Sequence, residues 1–173
     1  MTRRTALLAL SAIPVTNCAF GQEKRASPHE TVSVDLNGQK ITISYGRPYL
    51  KGREFGKEVA PHGQVWRLGA DEATKLTLPS SAKFEQGAQL AAGSYSLWAI
   101  PEPDKWTLIV NKKADVWGTD YDQSGDVARF DLPVRKTAPV EEFTIALTKK
   151  SNQSAEVSFA WGSQRVAITL TLG

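Results

Sequence analysis

From Thr31 onward the apolar side chains of this chain recur at every second position, and that period of two limits the fold more than any other feature. Thr31 to Asp35 and Gln39 to Tyr45 alternate around Asn37-Gly38, a dipeptide suited to a two-residue hairpin turn because both residues accept positive φ. The same alternation predicts strands at Val65 to Leu68, Thr74 to Leu78, Ala82 to Phe84, Ser94 to Ile100 and Trp106 to Asn111. It continues at Val127 to Val134, Glu142 to Thr148, Ala155 to Trp161 and Arg165 to Leu172. Turn residues separate them: Pro79-Ser80, Ala92-Gly93, Pro101 to Asp104, Ser151 to Gln153 and Gly162-Ser163. The one helical stretch expected is a turn or two at Lys112 to Val116. Short strands, tight turns and no helical crossover predict an all-β single domain, two antiparallel sheets packed face to face in a jelly-roll-like sandwich.

The first twenty-one residues are of another kind. Arg3 and Arg4 precede an apolar run from Ala6 to Val15, and Ala19-Phe20-Gly21 sets small residues at the spacing a signal peptidase reads. An export signal at 1–21 is expected, followed by a polar tether at 22–30 and the sandwich at 31–173. The apolar run is too short for the ~20 residues of a membrane span, so a periplasmic or secreted protein with no transmembrane segment is expected. The alternative is a lipoprotein anchored through Cys18. Cleavage before Gln22 would remove the one cysteine, and with it disulfides, thiolate metal sites and a cysteine nucleophile. Removing Arg3 and Arg4 from 21 basic residues leaves 19 against 18 acidic ones, a net charge of +1. A chain so nearly neutral has no global attraction for nucleic acid. Roughly 150 residues bury enough surface to fold as one domain without staples.

Function-bearing residues concentrate between Arg47 and Leu78. GRPYLKGREFG and VWRLGADEAT bring Arg47, Lys51, Arg53, Arg67, Asp71 and Glu72 close in sequence to Tyr49, Phe55 and Trp66. Arg67 and Glu72 are expected to form a guanidinium-carboxylate fork, with Glu72 and Thr74 on one face of a strand and Asp71 and Ala73 on the other. Several chemistries are excluded by inventory. The histidines are His29, in the expected tether, and His62, whose Pro61-His62-Gly63 context reads as an exposed loop, so a serine triad and a three-histidine metal site lack their parts. No GxSxG elbow occurs, and Gly46, Gly52 and Gly56 are spaced too widely for a phosphate loop. Paired carboxylates for glycoside hydrolysis could come from Glu54, Glu58, Asp71, Glu72, Asp115, Asp120 or Asp122.

Asp120 to Asp131 carries oxygen side chains in the rhythm of a calcium loop, at Asp120, Asp122, Ser124, Asp126 and Asp131 with Gly125 between them, but the strand expected from Val127 claims its last member. Among the five tryptophans, Trp98, Trp106 and Trp161 alternate with apolar partners and read as core. Trp117, in a loop close to Tyr121, reads as a ligand-facing aromatic, and Tyr121 is a candidate beside it.

GRPYLKGREFG, VWRLGADEAT, AAGSYSLWAIP and KWTLIVNKKADVWGTDYD, in that order, resemble the bacterial exported family catalogued as domain of unknown function 2911, over Ser27 to Gly173. The resemblance implies an exported all-β domain without an established activity. Two departures stand out: Asp71 occupies the asparagine position of a family GANEAT pattern, and His62 stands where other side chains, often aromatic, are common. Three functions are therefore weighed. The first is a non-catalytic envelope module binding a small polar or anionic ligand, or a protein partner, at Arg47, Lys51, Arg53 and Arg67, with no cofactor. The second is a metal-independent hydrolase or isomerase using Glu72 or Asp71 with Arg47 or Arg67. The third is a purely structural envelope protein.

Overall fold

The computed structural model describes residues 27–173, so the expected export signal and residues 22–26 of the tether lie outside the described residues. Ten strands follow in chain order: β1 (His29–Leu36), β2 (Gln39–Gly46), β3 (Thr74–Leu78), β4 (Ala82–Phe84), β5 (Gln89–Leu90), β6 (Gly93–Pro101), β7 (Lys105–Asn111), β8 (Asp126–Pro133), β9 (Arg135–Lys149) and β10 (Ser154–Leu172). They form a six-stranded sheet ordered β1-β2-β3-β6-β7-β8 and a four-stranded sheet ordered β5-β4-β10-β9, every pair antiparallel. This is the expected all-β sandwich. The chain passes from the edge of one sheet to the edge of the other at Val134, the single residue between β8 and β9.

The β1–β2 hairpin forms as its turn dictates. Asn37 and Gly38 both take positive φ, 57° and 84°, and the Gly38 N–H donates to the Asp35 carboxylate at 2.8 Å. β3 and β4 begin and end where the alternation places them. Three expectations need correction. Val65 to Leu68 is no strand: Trp66 makes one isolated bridge to Ala99, after which Leu68 turns left-handed at φ 52° and the chain leaves the sheet. Gly162-Ser163 is no turn: β10 runs through it, with register shifts against β9 on either side of Gly162, whose φ of 57° marks a bulge. Lys112 to Val116 has no helical turn, and the one helical piece described is a 3-10 turn at Gln123–Gly125, capped by the Asp122 side chain.

The core lies between the sheets. At one end Phe55, Trp66, Trp106, Phe143 and Trp161 pack ring against ring, with Trp66 stacked on Trp161 at 5.3 Å. Each buried indole N–H has an acceptor: Gly69 O for Trp66, Gln164 Oε1 for Trp106 and Glu141 O for Trp161. A smaller cluster of Ala73, Trp98 and Ile109 sits on the outer face of the six-stranded sheet, covered by Val116 and Tyr121. Trp98 is therefore buried as expected, but beneath the 112–125 loop. The expected exposed loop histidine also differs: the His62 ring packs edge-on to Phe55 and against Gly56, and its Nε2 is sealed from solvent with no hydrogen-bond partner among the described residues.

Candidate functional site

The segment between β2 and β3 makes two irregular loops, 47–63 and 66–73, over the aromatic end of the core. Apart from Asn37 in the hairpin, every described non-glycine residue with positive φ falls in them: Lys51 (50°), Ala60 (46°), Leu68 (52°) and Asp71 (63°). Such conformations cost of order 1 kcal/mol each and persist only where surrounding contacts impose them. Those contacts are dense here. The Thr74 hydroxyl donates to Leu68 O at 2.6 Å, Thr74 N–H to Arg67 O at 3.2 Å, Ala73 N–H to Val116 O at 3.1 Å and Gly118 N–H to Asp71 O at 3.0 Å. Glycine admits the close approaches: a β-carbon at Gly69 would stand 3.0 Å from Gly46 O, and one at Gly118 would stand 2.5 Å from Asp71 O. The GADEAT stretch is thus a rigid corner.

The four cations have different fates. Arg47 lies between Glu30 at 2.9 Å and Glu142 at 3.2 Å, and also donates to Phe143 O and the Thr144 hydroxyl, so it joins β1 and β2 to β9. Tyr49 bonds the same Glu142, and that hydrogen bond raises its hydroxyl pKa. Lys51 meets the Glu141 carboxylate through its backbone N–H at 2.8 Å. Carboxylates therefore surround these two. Arg53 and Arg67 differ. Arg53 donates to Leu50 O at 3.0 Å and Tyr49 O at 2.9 Å, Arg67 donates to Asp71 O at 3.1 Å, and among the described residues neither forms an ion pair. Both line one cleft of about 290 Å³, floored by Trp66 and Trp161 and rimmed by Ala60 and Asp71.

Asp71 and Glu72 do not meet Arg67 through their carboxylates, so the expected Arg67–Glu72 fork is absent among the described contacts. The physical reason is the left-handed Asp71, which swings both acids toward β1 before β3 begins at Thr74. There His29 Nε2 lies 3.1 Å from Asp71 Oδ2 and 3.5 Å from Glu72 Oε2. β1 begins two residues earlier than the alternation suggested, which draws His29 out of the expected tether and into this corner. A second cleft, of about 470 Å³, opens beside it between Ser44 of β2, Lys75 of β3 and the 114–117 loop, where Glu72 bridges to Trp117. His29, Ser44 and Lys75 escaped the sequence reading; the available signal was the period of two, which puts His29 and Ser44 on one face of the β1–β2 hairpin.

Tyr121 lines neither cleft. Its ring packs on Trp98 at 5.1 Å, its hydroxyl donates to Asp126 at 2.7 Å and accepts from Arg129, and burial together with the Asp126 bond pushes its pKa up to about 12. The acids spaced like a calcium loop are held apart by cations. Asp122 pairs with Lys113 at 2.6 Å, a hydrogen bond that holds its carboxyl well below the usual range. Asp126 pairs with Arg129 at 2.8 Å and Asp131 with Lys105 at 2.7 Å, while Asp120 accepts from Thr119 and the Ser124 backbone N–H donates to Asp122. No described group of three or more acids, histidines or cysteines has the geometry to hold a metal ion.

Fold and site together define a class: an antiparallel β-sandwich with clefts beside the irregular loops that join β2 to β3. The chain belongs to the family described as "Protein of unknown function (DUF2911)", whose model matches residues 27–170. No curated protein and no solved structure matches the chain. Among the described residues no helix is long and apolar enough to cross a membrane.

Proposed function

We propose that this protein is an exported, non-catalytic module of the cell envelope that binds a small anionic ligand, its carboxylate or phosphate group seated between Arg53 and Arg67. One observation carries the reading: two guanidinium groups share a cleft, each held in place by backbone carbonyl oxygens and neither neutralised by a described carboxylate. A guanidinium anchored through one edge keeps further N–H donors for a planar or tetrahedral anion, and pre-orientation lowers the entropy lost on binding. The four left-handed residues in the surrounding loops are the strain expected where a binding surface is imposed on the backbone. Export rests on the basic head, apolar run and small-residue cleavage pattern at 1–21.

The test is a thermal-shift and calorimetric titration with inorganic phosphate, citrate and succinate, repeated on Arg53→Ala. At a hundred times the dissociation constant a ligand adds about 2.7 kcal/mol, several degrees for a domain of this size. Loss of that shift in Arg53→Ala supports the reading, and absence of any shift in the native protein sinks it. Recovery of a chain starting near Gln22 from the periplasm or medium tests export. A metal-independent hydrolase or isomerase is the second reading, favoured by His29 within hydrogen-bond reach of Asp71 beside the arginine cleft. Turnover of an ester or phosphoester panel, abolished by His29→Gln, would decide for it.

A further inference from the structure

The arginine cleft leaves the second hollow unexplained. Its rim carries Trp117, 48% exposed, while the other four tryptophans are at most 9% exposed. A half-exposed indole on the rim of a polar hollow offers a flat apolar face to a ligand that carries both apolar and hydroxyl surface. The ring is also on a fixed base. Glu72 bridges to Trp117, Gly118 N–H holds Asp71 O, Asp120 N–H holds Trp117 O, and Tyr121 pins the following turn onto Trp98.

We infer that the roughly 470 Å³ hollow is a binding site for a neutral polyhydroxylated ligand of the sugar class, one ring face lying on Trp117 and its hydroxyls meeting Ser44, Lys75, Asp115 and His29. The charges determine the class. Lys75 Nζ stands 2.8 Å from Asp115, and His29 Nε2 lies within 3.1 to 3.5 Å of Asp71 and Glu72, so nitrogen and carboxylate groups come in partnered sets. A free anion or cation would have to displace a partner already in place. Vicinal hydroxyls need the opposite arrangement, donors and acceptors side by side, since each hydroxyl both gives and takes a hydrogen bond. Ser44, whose hydroxyl is 2.8 Å from that of Thr31, extends the donor and acceptor edge along the outer face of the sheet. The C–H face of a pyranose supplies the apolar surface that covers the indole. The volume falls in the range that encloses one or two sugar rings.

Trp117 gives the experiment its signal, because the other indoles are already shielded. The whole protein is titrated with maltose, cellobiose and N,N′-diacetylchitobiose at millimolar concentration while acrylamide quenching of tryptophan emission is followed, with choline as the cationic control. We expect at least one disaccharide to cut the quenching constant by roughly half, since a seated ring covers most of the exposed indole. Calorimetry on the same sugar should show Trp117→Ala weakening binding about tenfold, the loss expected of one aromatic stacking partner. Ser44→Ala should weaken it less, and Arg53→Ala, in the other cleft, should leave it unchanged. No protection by any of the three sugars overturns the inference. So does choline binding more tightly than all of them, or sugar binding that survives Trp117→Ala and fails in Arg53→Ala.

Discussion

Gly118 lies directly against the side chain of Arg67, so close that a β-carbon there would collide with the aliphatic part of Arg67 and stand 2.8 Å from its Nε. The contact fixes the path of the guanidinium to Asp71 O, and with it one wall of the arginine cleft. Gly118→Ala should therefore displace Arg67 and destabilise the domain by about 1–3 kcal/mol, the usual cost of forcing a methyl into a packed site. Phosphate or citrate affinity should fall as far as it does in Arg67→Ala. Urea unfolding and calorimetry on both variants check this, and unchanged affinity in Gly118→Ala would show that Arg67 reaches no ligand.

Arg47 should behave differently from Arg53 although both belong to the same basic run. It is half-buried between Glu30 and Glu142 and ties the end of β2 to β9. Replacing it by alanine leaves two partly shielded carboxylates without their cation, at a cost of about 2 kcal/mol. Anion affinity should be unchanged. A lower unfolding midpoint with normal binding is the expected result, and lost binding at normal stability would return Arg47 to the ligand site.

Two tyrosines predict how the fold responds to alkali. Burial above all pushes the Tyr45 hydroxyl up to about 12, and its oxygen accepts the Ile145 N–H while donating to Glu30. Burial and the bond to Asp126 do the same for Tyr121. A group whose folded pKa lies above its unfolded value contributes stability that is complete below the unfolded value, about 10, and lost as pH rises through the folded one. Unfolding free energy should thus fall between about pH 10 and 12. Tyr45→Phe and Tyr121→Phe should each flatten that slope, measurable by denaturant titration across the window, and a slope unchanged in both variants would place the titration elsewhere.

The strands were legible because their cause is local. Pleating shows in an alternation such as Ile41, Ile43, Tyr45 or Leu76, Leu78, and Asn37-Gly38 states its turn outright. What escaped depends on contacts across the chain. Gly162-Ser163 has the composition of a turn and of a bulge alike, and only β9 running on past Val140 decides for the bulge. Trp66 and Leu68 are both buried, as alternation requires, yet the left-handed Leu68 makes a corner of that segment. The same limit governs the site. Arg47, Arg53 and Arg67 look equivalent in one dimension, while their partners at 142, 50 and 71 make one a clamp and leave two facing a cleft. The calcium-like spacing of Asp120 to Asp131 carries no information about Lys113, Arg129 and Lys105, which claim three of those acids.

His62 offers a test in the opposite direction, a substitution that should strengthen the fold. Its ring lies edge-on to Phe55 with centroids 6.4 Å apart, its backbone N–H bonds Gly56 O at 3.0 Å, and Nε2 is shielded without a described partner. A polar nitrogen held this way has given up water for nothing, a loss of about 1–3 kcal/mol that an apolar ring of similar shape does not incur. His62→Phe keeps the aromatic contact with Phe55 and removes the nitrogen. We expect the urea midpoint to rise by about 1 kcal/mol in free energy with an unchanged m value, because one desolvated polar atom is removed and the surface exposed on unfolding barely changes. A fall in the midpoint would mean that Nε2 finds a partner in solution, or that the larger ring crowds Gly56, and either result removes the shielded nitrogen as a weakness of this loop.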